Sequence, residues 1–377
     1  MKHLNSLRSK IGSVTKLISL PLLLLGLVGP GLTQAGWQED WEQAKAAARK
    51  EGKIVVNIPP SAELRKQLGA AMKKKFGINV EIVPARGSAV ARRIADEFKS
   101  GIHYFDVYTG TYGNYSHRLR PLGALDPLKP YWILPEVKDP KNWWGGHFWG
   151  DKGKRFGYLP SGYELSNVWY NSQLVRPEEI QSYNDLLNPK WTGKVGLLDP
   201  RLPGAGRGLW AFLWARMGAD YLKKLAQGKL VLGKRRTLAD QLAKGKLAIT
   251  LGPTFFTFQP FTKAGLPAKP IPPLKEGMPV STGNGGPVVI KNPPHPNATK
   301  VFINWLLSKE GQELYSKALG QATRRLDVDT KWMTRIGVRA AKDFLSQEDF
   351  FSRENQSEEQ YTKVRIPALK FAREIFK

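Results

Sequence analysis

Apolar residues follow two alternating patterns along the first third of the chain. Short unbroken apolar runs predict buried strands, and apolar residues spaced three and four apart predict amphipathic helices. In chain order the predicted elements are a helix over 37–51, a strand over 53–58, a helix over 63–76, a strand over 79–83, a helix capped by Ser88 and a strand over 105–109. Strands that alternate with helices are typical of a parallel, doubly wound sheet, which binds ligands at the carboxyl ends of its strands.

The same alternation returns in the second half of the chain. The predicted elements there are a strand over 195–198, helices over 207–217 and 219–227, a helix that begins at Arg235, a strand over 247–251 and a helix that begins near Phe255. Extended runs at 165–171 and 278–290 precede and follow this half, and residues 326–377 read as helical. The patterns therefore predict an α/β protein with two doubly wound lobes, joined by crossing strands that act as hinges.

A glycine-rich loop in the second half predicts an anion site. The loop contains Gly204, Ala205 and Gly206, and Arg207 closes it as a helix begins. Helix N-termini leave backbone N–H groups without helical partners, and the helix dipole favours negative charge there. Arg235 begins another helix in the same half, where a cation is unfavourable unless an anion is close. We therefore expect both arginines to contact an anionic ligand.

The N-terminal segment 1–35 has the features of an export signal. Basic residues without any acid accompany an apolar run over 17–28, and Thr33-Gln34-Ala35 offers a cleavage site. A membrane anchor is the alternative, but the run is shorter than the ~18 residues that span a bilayer. We expect a mature chain that begins near Gly36.

The chain of 377 residues is strongly basic and contains no cysteine. Lys and Arg number 58 against 32 for Asp and Glu, and the resulting formal net charge of +26 attracts anions. The basic residues are spread thinly and match no nucleic-acid-binding motif, so we expect no nucleic acid as a partner. The lack of cysteine excludes disulfides, thiolate metal sites and lipid attachment. An exported, unanchored chain of this kind fits the Gram-negative periplasm, where we expect a monomer.

No catalytic constellation is recognisable in the sequence. The five histidines are isolated and lack zinc-ligand spacing, and neither a nucleophile elbow nor a P-loop occurs. Asp106 and Glu164 are single carboxylates, and such groups more often cap helices or form ion pairs than act as catalytic bases. The sequence therefore predicts a protein that is not an enzyme and has no cofactor and no metal site.

Five stretches of the chain resemble one protein family. They are AKAAARKEGKIVV, FDVYTG, VWYN, NPKWTGKVGLLDPR and, most specifically, PHPNATKVFINWLLSKEGQELY. From 37 to 325 the chain resembles the family 1 extracellular solute-binding proteins, the type II periplasmic binding proteins of ABC importers, in the branch that includes ferric-ion, polyamine, thiamine and phosphonate binders. The resemblance implies two α/β lobes that clamp a ligand and deliver it to a membrane permease. The first lobe would comprise 36–165 with 283–325 and the second 166–282, and a helical extension would follow at 326–377.

The resemblance also bears on the ligand. Ferric-binding members have an adjacent tyrosine pair where this chain has Phe255 and Phe256, which cannot ligate a hard ferric ion. We therefore expect a small anionic organic solute, such as a phosphonate, a phosphate ester or a carboxylate, held by the glycine-rich loop and the two arginines. The expected contributions beside them are hydrogen bonds from Ser61, Thr109 and Thr111 of the first lobe and apolar packing from Phe255.

Three alternatives stay open at this point. The first is a ferric-ion or ferric-complex binding protein for iron uptake, which coloured, metal-loaded protein would support. The second is an unrecognised hydrolase, which turnover of a phosphate ester would reveal. The third is a basic surface-coating or nucleic-acid-binding protein, which predicts steep salt dependence without a saturable small ligand.

Overall fold

A computed structural model of the protein describes residues 36–59, 61–83, 87–202, 204–284 and 286–377. The predicted export signal, 1–35, lies outside the described residues. Residues Trp37–Lys377 form one compact unit. Across the described part of the chain, no helix is both long enough and apolar enough to cross a membrane.

The strands and helices alternate through most of the described chain. The strands are β1 Lys53–Asn57, β2 Asn79–Ile82, β3 Val107–Gly110, β4 Leu125–Asp126, β5 Tyr163–Glu164, β6 Val168–Asn171, β7 Val195–Leu198, β8 Val231–Gly233, β9 Ile249–Leu251, β10 Ala268–Pro270, β11 Val280–Ser281, β12 Gly286–Ile290 and β13 Arg339–Ala340. The helices are α1 Trp37–Glu51, α2 Ala62–Phe76, α3 Gly87–Lys99, α4 Tyr112–Arg118, α5 Pro135–Lys138, α6 Ala205–Gln227, α7 Arg235–Ala243, α8 Phe255–Lys263, α9 Pro296–Leu307, α10 Lys309–Leu319, α11 Ala341–Phe344, α12 Gln347–Arg353, α13 Glu358–Gln360 and α14 Ile366–Ile375.

The first lobe is built on a five-stranded sheet of order β2–β1–β3–β12–β4. β1 pairs in parallel with β2 and β3, whereas β12 runs antiparallel to β3 and β4. Successive side chains on a strand face opposite sides of its sheet. Ile54 and Val56 therefore pack with α1, α2, α9 and α10, while Val55 packs with α3 and α4 on the other side. Helices on both faces make this sheet doubly wound, as the sequence predicts.

The second lobe repeats this arrangement on a sheet of order β10–β6–β9–β7–β8. β7 pairs in parallel with β8 and β9, and β6 runs antiparallel to β9 and β10. α6 and α14 cover one face, and α7 and α8 cover the other. The two helices predicted over 207–217 and 219–227 are the two parts of α6, which are separated at the non-helical residue Gly218 (φ 80°, ψ 171°). The predicted fold class, two doubly wound α/β lobes with a largely helical C-terminal extension, is confirmed.

The crossings between the lobes differ from the predicted ones. β5 pairs antiparallel with β11, and both strands are only two residues long. The predicted hinge runs at 165–171 and 278–290 are largely strands of the lobes themselves, because β6 belongs to the second sheet and β12 to the first. A fully buried strand and a crossing strand both read as short apolar runs, so periodicity could not separate them.

The C-terminal extension adds a third strand to these crossings. β13 pairs antiparallel with β5, and the extension also brings Arg353 to the carboxylate of Glu164. Arg353 Nη1 donates to Glu164 Oε1 at 3.2 Å and to the Met278 carbonyl at 2.7 Å. Arg339 Nη1 lies 2.7 Å from the other carboxylate oxygen, and both Glu164 and Arg353 are buried. The hinge therefore contains a buried ion pair that joins the first crossing to the extension.

Replacing Arg353 with methionine tests this ion pair. Arg353→Met keeps most of the side-chain volume but leaves Glu164 with one cation fewer, and breaking a buried pair costs about 3 kcal/mol or more. We expect the free energy of unfolding, measured by urea denaturation, to fall by about that amount. Lys244→Met is the matched control, since Lys244 pairs with Asp240 on the surface and such pairs contribute at most ~1 kcal/mol. Equal losses in the two variants would contradict the proposed importance of the hinge pair.

Candidate functional site

The carboxyl ends of β7, β8 and β9 meet at one edge of the second sheet. The Asp199 N–H, after β7, donates to the Gly233 carbonyl at the end of β8 at 3.2 Å. A Cβ added to Gly252, which follows β9, would lie 2.6 Å from Leu198 Cβ and 3.6 Å from Gly206 Cα. The glycine-rich loop therefore lies directly against the strand ends, which is where doubly wound sheets bind ligands.

The start of α6 requires glycine at two positions. Gly204 has φ 138°, a conformation that side chains disfavour, and a Cβ on Gly206 would lie 2.4 Å from the Leu198 carbonyl oxygen. Gly204 gives α6 no side-chain cap, and the first turn of the helix contains no acidic residue. The positive end of the helix dipole is thus not neutralised by a carboxylate of its own helix, which suits an anion.

Arg207 lies in the first turn of α6 and is half-buried. Its Nη2 donates to the Arg201 carbonyl at 2.8 Å, while its Nε is buried without a hydrogen-bond partner. Burial lowers the pKa of the Arg207 guanidinium, and the positive charge of Arg373 lowers it further. The guanidinium stays charged at neutral pH, so an anion bound here would interact with a partly desolvated positive charge.

Arg235 comes to the same loop from α7. Its Nη2 lies 3.3 Å from the position that a Cβ on Gly204 would occupy. The residue is exposed and stands at N1 of α7, a helix that also has no acid in its first turn. Two predicted site residues from different helices, Arg207 and Arg235, therefore flank one glycine loop.

Phe255 begins α8 beside this edge of the sheet. It is half-buried and packs against the cluster that contains Leu198, Leu238 and Phe258. Its predicted role as an apolar wall stays a prediction, and its position at the edge is compatible with that role.

The three first-lobe residues are less free than the sequence suggests. The Ser61 hydroxyl accepts from Leu64 N at 3.1 Å, which caps α2, and donates to the Ala318 carbonyl at 3.2 Å. Thr109 is buried and donates to the Asn57 carbonyl at 2.6 Å. An anion accepts hydrogen bonds, so both hydroxyls would have to exchange partners to donate to it. Thr111 is half-buried and precedes α4, and its side chain makes no capping hydrogen bond. Its hydroxyl is therefore better placed than those of Ser61 and Thr109 to donate to an anion.

Sequence reasoning missed Asn167, which lies immediately before β6 at the cleft edge of the second sheet. Its carbonyl accepts from Gly252 N at 2.7 Å, while both polar atoms of its fully buried side chain lack a partner. A buried amide without partners is costly. The available signal was the asparagine inside the extended run LSNVWY, and the pattern alone favoured a crossing strand.

The C-terminal extension also lies beside this site, a position that the sequence patterns do not predict. Gln356 Oε1 accepts from the Tyr112 N–H, at the start of α4, at 3.1 Å, and both residues are buried. The neighbouring Asn355 Nδ2 lies 3.4 Å from where a Cβ on Gly208 of α6 would be. Residues 355 and 356 therefore reach from a helix start in one lobe to a helix start in the other.

Carboxylate, imidazole and thiolate ligands do not gather into a metal site in the described parts of the chain. No group of three or more His, Cys, Asp or Glu residues there could hold a metal ion. Among the residues outside the described ranges, His3 is the only His, Cys, Asp or Glu.

Comparison with known proteins identifies the family. The model of the bacterial extracellular solute-binding protein family matches residues 57–313, which is more than half of the chain. The chain therefore belongs to this family, whose members are binding proteins. A protein from Haemophilus influenzae that has no assigned function is 24% identical over 316 residues, covering 81% of this chain and 83% of that protein.

Solved structures of periplasmic binding proteins share the fold. The Trichodesmium protein IdiA (FutA), in complex with iron and citrate, is 19% identical with a TM-score of 0.63, covering 86% of this chain and 99% of that one. AfuA from Actinobacillus pleuropneumoniae, with fructose-6-phosphate bound, is 20% identical with a TM-score of 0.59 and the same coverage. At this level of identity the likeness establishes the fold and not the ligand.

Substitution of Gly206 tests the close packing of the loop. Gly206→Ala would place a methyl group against the backbone carbonyl of Leu198, so we expect a loss of about 2 kcal/mol or more in the free energy of unfolding. Gly69→Ala is the control, since a Cβ there meets nothing within 4 Å and alanine is favoured over glycine in helices by up to about 1 kcal/mol. If thermal unfolding shows the two variants to be equally stable, the loop does not need glycine at 206.

Proposed function

We propose that this protein is the substrate-binding component of an ABC importer in the periplasm. It captures a small anionic organic solute in the cleft between its lobes and delivers it to membrane permease subunits, without chemical turnover. Membership of the solute-binding family and the two-lobed fold support this role. The hinge strands β5 and β11 allow one lobe to close on the other, and a ligand that contacts both lobes favours the closed state.

The observation that carries the choice of an anion is the group of positive charges around one glycine loop. Arg235 Nη2 lies 3.3 Å from the Cβ position of Gly204, Arg207 lies in the first turn of α6, and neither α6 nor α7 has an acid in its first turn. A helix N-terminus and nearby guanidinium groups each favour a negative charge, so together they favour an anionic ligand. A phosphonate, a phosphate ester or a carboxylate fits these donors, since each offers several anionic oxygens to backbone N–H groups and guanidinium forks.

Ferric ion is the second candidate, because one structurally similar protein is in complex with iron and citrate. A hard ferric ion needs anionic oxygen ligands. Phe255 begins α8 where the resemblance would place a tyrosine, and the described residues contain no acidic or histidine cluster able to hold a metal. The residues outside the described ranges contain neither Asp, Glu nor Tyr. The side chains of this chain therefore favour an anion over a bare ferric ion.

A thermal-shift screen of the chain from Gly36 onward tests the proposed ligand class. The panel comprises phosphonates, phosphate esters, di- and tricarboxylates, polyamines and ferric citrate. A ligand at about one hundred times its Kd stabilises the folded state by roughly 2.7 kcal/mol, enough to raise the unfolding midpoint by a few degrees. We expect a shift with a phosphorus-containing or carboxylate anion. A shift with ferric citrate alone would favour iron uptake, and turnover of a phosphate ester would indicate a hydrolase.

The role of Arg235 can be tested against its neighbour in sequence. Arg235→Ala should weaken an anion that shifts the wild-type midpoint by about tenfold or more, since it removes a charge-assisted contact at the loop. Arg236→Ala removes the same charge from the same helix and should leave the affinity nearly unchanged. Titration calorimetry of both variants gives the comparison, and equal affinities would remove Arg235 from the site.

A further inference from the structure

The segment from Arg353 to Arg365 bridges the two lobes. On the first-lobe side, Glu358 is held by Arg120 Nη1 and Nη2 at 3.3 and 3.2 Å and by the Lys152 N–H at 2.8 Å. The Tyr361 ring packs over α4, with centroid distances of 5.6 Å to Tyr112 and 4.9 Å to His117. Both contacts lie beside the helix start that Gln356 caps.

The following helix, α14, belongs to the core of the second lobe. Trp210 Nε1 of α6 donates to the Ala368 carbonyl at 2.9 Å, and the rings of Trp214 and Phe371 lie 4.7 Å apart. Ala368 and Ala372 are fully buried. The short π-helical turn Tyr361–Arg365 precedes α14 directly, so it is held between α4 of one lobe and α6 of the other.

The turn places Arg365 beside the first turns of α6. Arg365 is half-buried, its Nη1 donates to the Asn355 carbonyl at 3.4 Å, and its guanidinium lies 5.5 Å from the Tyr361 ring centroid. Asn355 in turn lies against Gly208, one residue after Arg207. Burial lowers the pKa of Arg365, and the positive charge of Arg207 contributes in the same direction. Asn355 therefore connects Arg365 to α6 one residue from Arg207, and the two partly buried guanidinium groups repel each other.

Neither guanidinium has a carboxylate partner among the described residues, since the ion pairs found there include neither Arg207 nor Arg365. The acids of the neighbouring segments have other partners: Asp199 pairs with Arg201, Glu358 pairs with Arg120, and the buried Glu354 accepts from the Gln356 and Ser357 N–H groups. The residues outside the described ranges cannot supply a partner, because they contain no Asp or Glu. An anion from outside the chain would stabilise these two partly desolvated positive charges and would accept from the buried, unpaired Nε of Arg207.

We propose that the C-terminal extension contributes Arg365 to the ligand site as a second guanidinium beside Arg207, and that the site selects a doubly charged phosphoryl group over a carboxylate. This inference rests on the anion-binding function proposed above and narrows its ligand to a phosphate monoester or a phosphonate. A dianion with three terminal oxygens can accept from two guanidinium forks and the α6 N-terminus together. A carboxylate has a single charge and two oxygens, so it leaves one of the two arginines uncompensated.

The test uses two probes with the same apolar part. Phenyl phosphate and benzoate are titrated calorimetrically into wild type, Arg207→Met, Arg365→Met and Lys363→Met at pH 8 and fixed ionic strength. Lys363 is the matched control, because it lies on the same turn and carries the same charge but is exposed and pairs with Glu359. We expect wild type to bind phenyl phosphate at least about tenfold more tightly than benzoate.

Arg365→Met should weaken phenyl phosphate by about ten- to a hundredfold and reduce its preference over benzoate, while Lys363→Met leaves both affinities unchanged. Circular dichroism and the unfolding midpoint establish that each variant is folded. Arg365→Lys, which keeps the charge but loses the guanidinium fork, should show an intermediate loss, and this variant decides the question if Arg365→Met does not fold.

The outcomes separate the inference from the function on which it rests. If Arg207→Met weakens phenyl phosphate while Arg365→Met behaves like Lys363→Met, the anion site stands without Arg365 and the inference is wrong. Benzoate binding as tight as phenyl phosphate binding would likewise overturn the dianion selectivity while leaving an anion-binding protein. If no anion in the wider screen binds wild type, the proposed function fails and the inference fails with it.

Discussion

The arrangement of the whole molecule depends on one buried carboxylate, Glu164. It lies on a crossing strand of two residues, too short to fix the hinge through backbone pairing alone. A buried carboxylate must be paired to remain charged, and its partners Arg339 and Arg353 both come from the C-terminal extension. Satisfying this charge therefore draws the extension across the hinge, and the direction in which Arg353 leaves the hinge places the following residues between the lobes.

The extension is attached differently to its two lobes. Its contacts with the second lobe are apolar and buried, as Ala368 and Ala372 show, whereas its contacts with the first lobe combine aromatic packing, as of Tyr361 on Tyr112, with the partly exposed pair of Glu358 and Arg120. Polar contacts near the surface exchange readily with water, while separating packed apolar surfaces costs free energy in proportion to their area. The extension is therefore held by packed side chains on both lobes, and the first-lobe side adds an ion pair near the surface.

Much of the fold could be predicted from the sequence, because in each lobe short apolar strands alternate with helices whose apolar residues recur at helical spacing. The helix from Ala62 to Phe76 and the convergence of Arg235 on the glycine loop followed from local pattern. Local pattern could not reveal contacts distant in sequence, such as Arg353 with Glu164, 189 residues apart. It also could not show that the Thr109 hydroxyl is committed to a neighbouring strand, or that the side chain of Asn167 is buried without partners.

The net charge of +26 and the proposed pair of Arg207 and Arg365 play different roles in attracting an anion. Exposed charges act over distances that salt limits to about 8 Å at physiological ionic strength, so the general field raises the rate of encounter with any anion. Partly buried charges are screened much less, and their free-energy cost without a ligand depends on their own desolvation. We therefore expect selectivity between anions to come from the proposed pair of Arg207 and Arg365, because neither guanidinium has a carboxylate partner among the described residues.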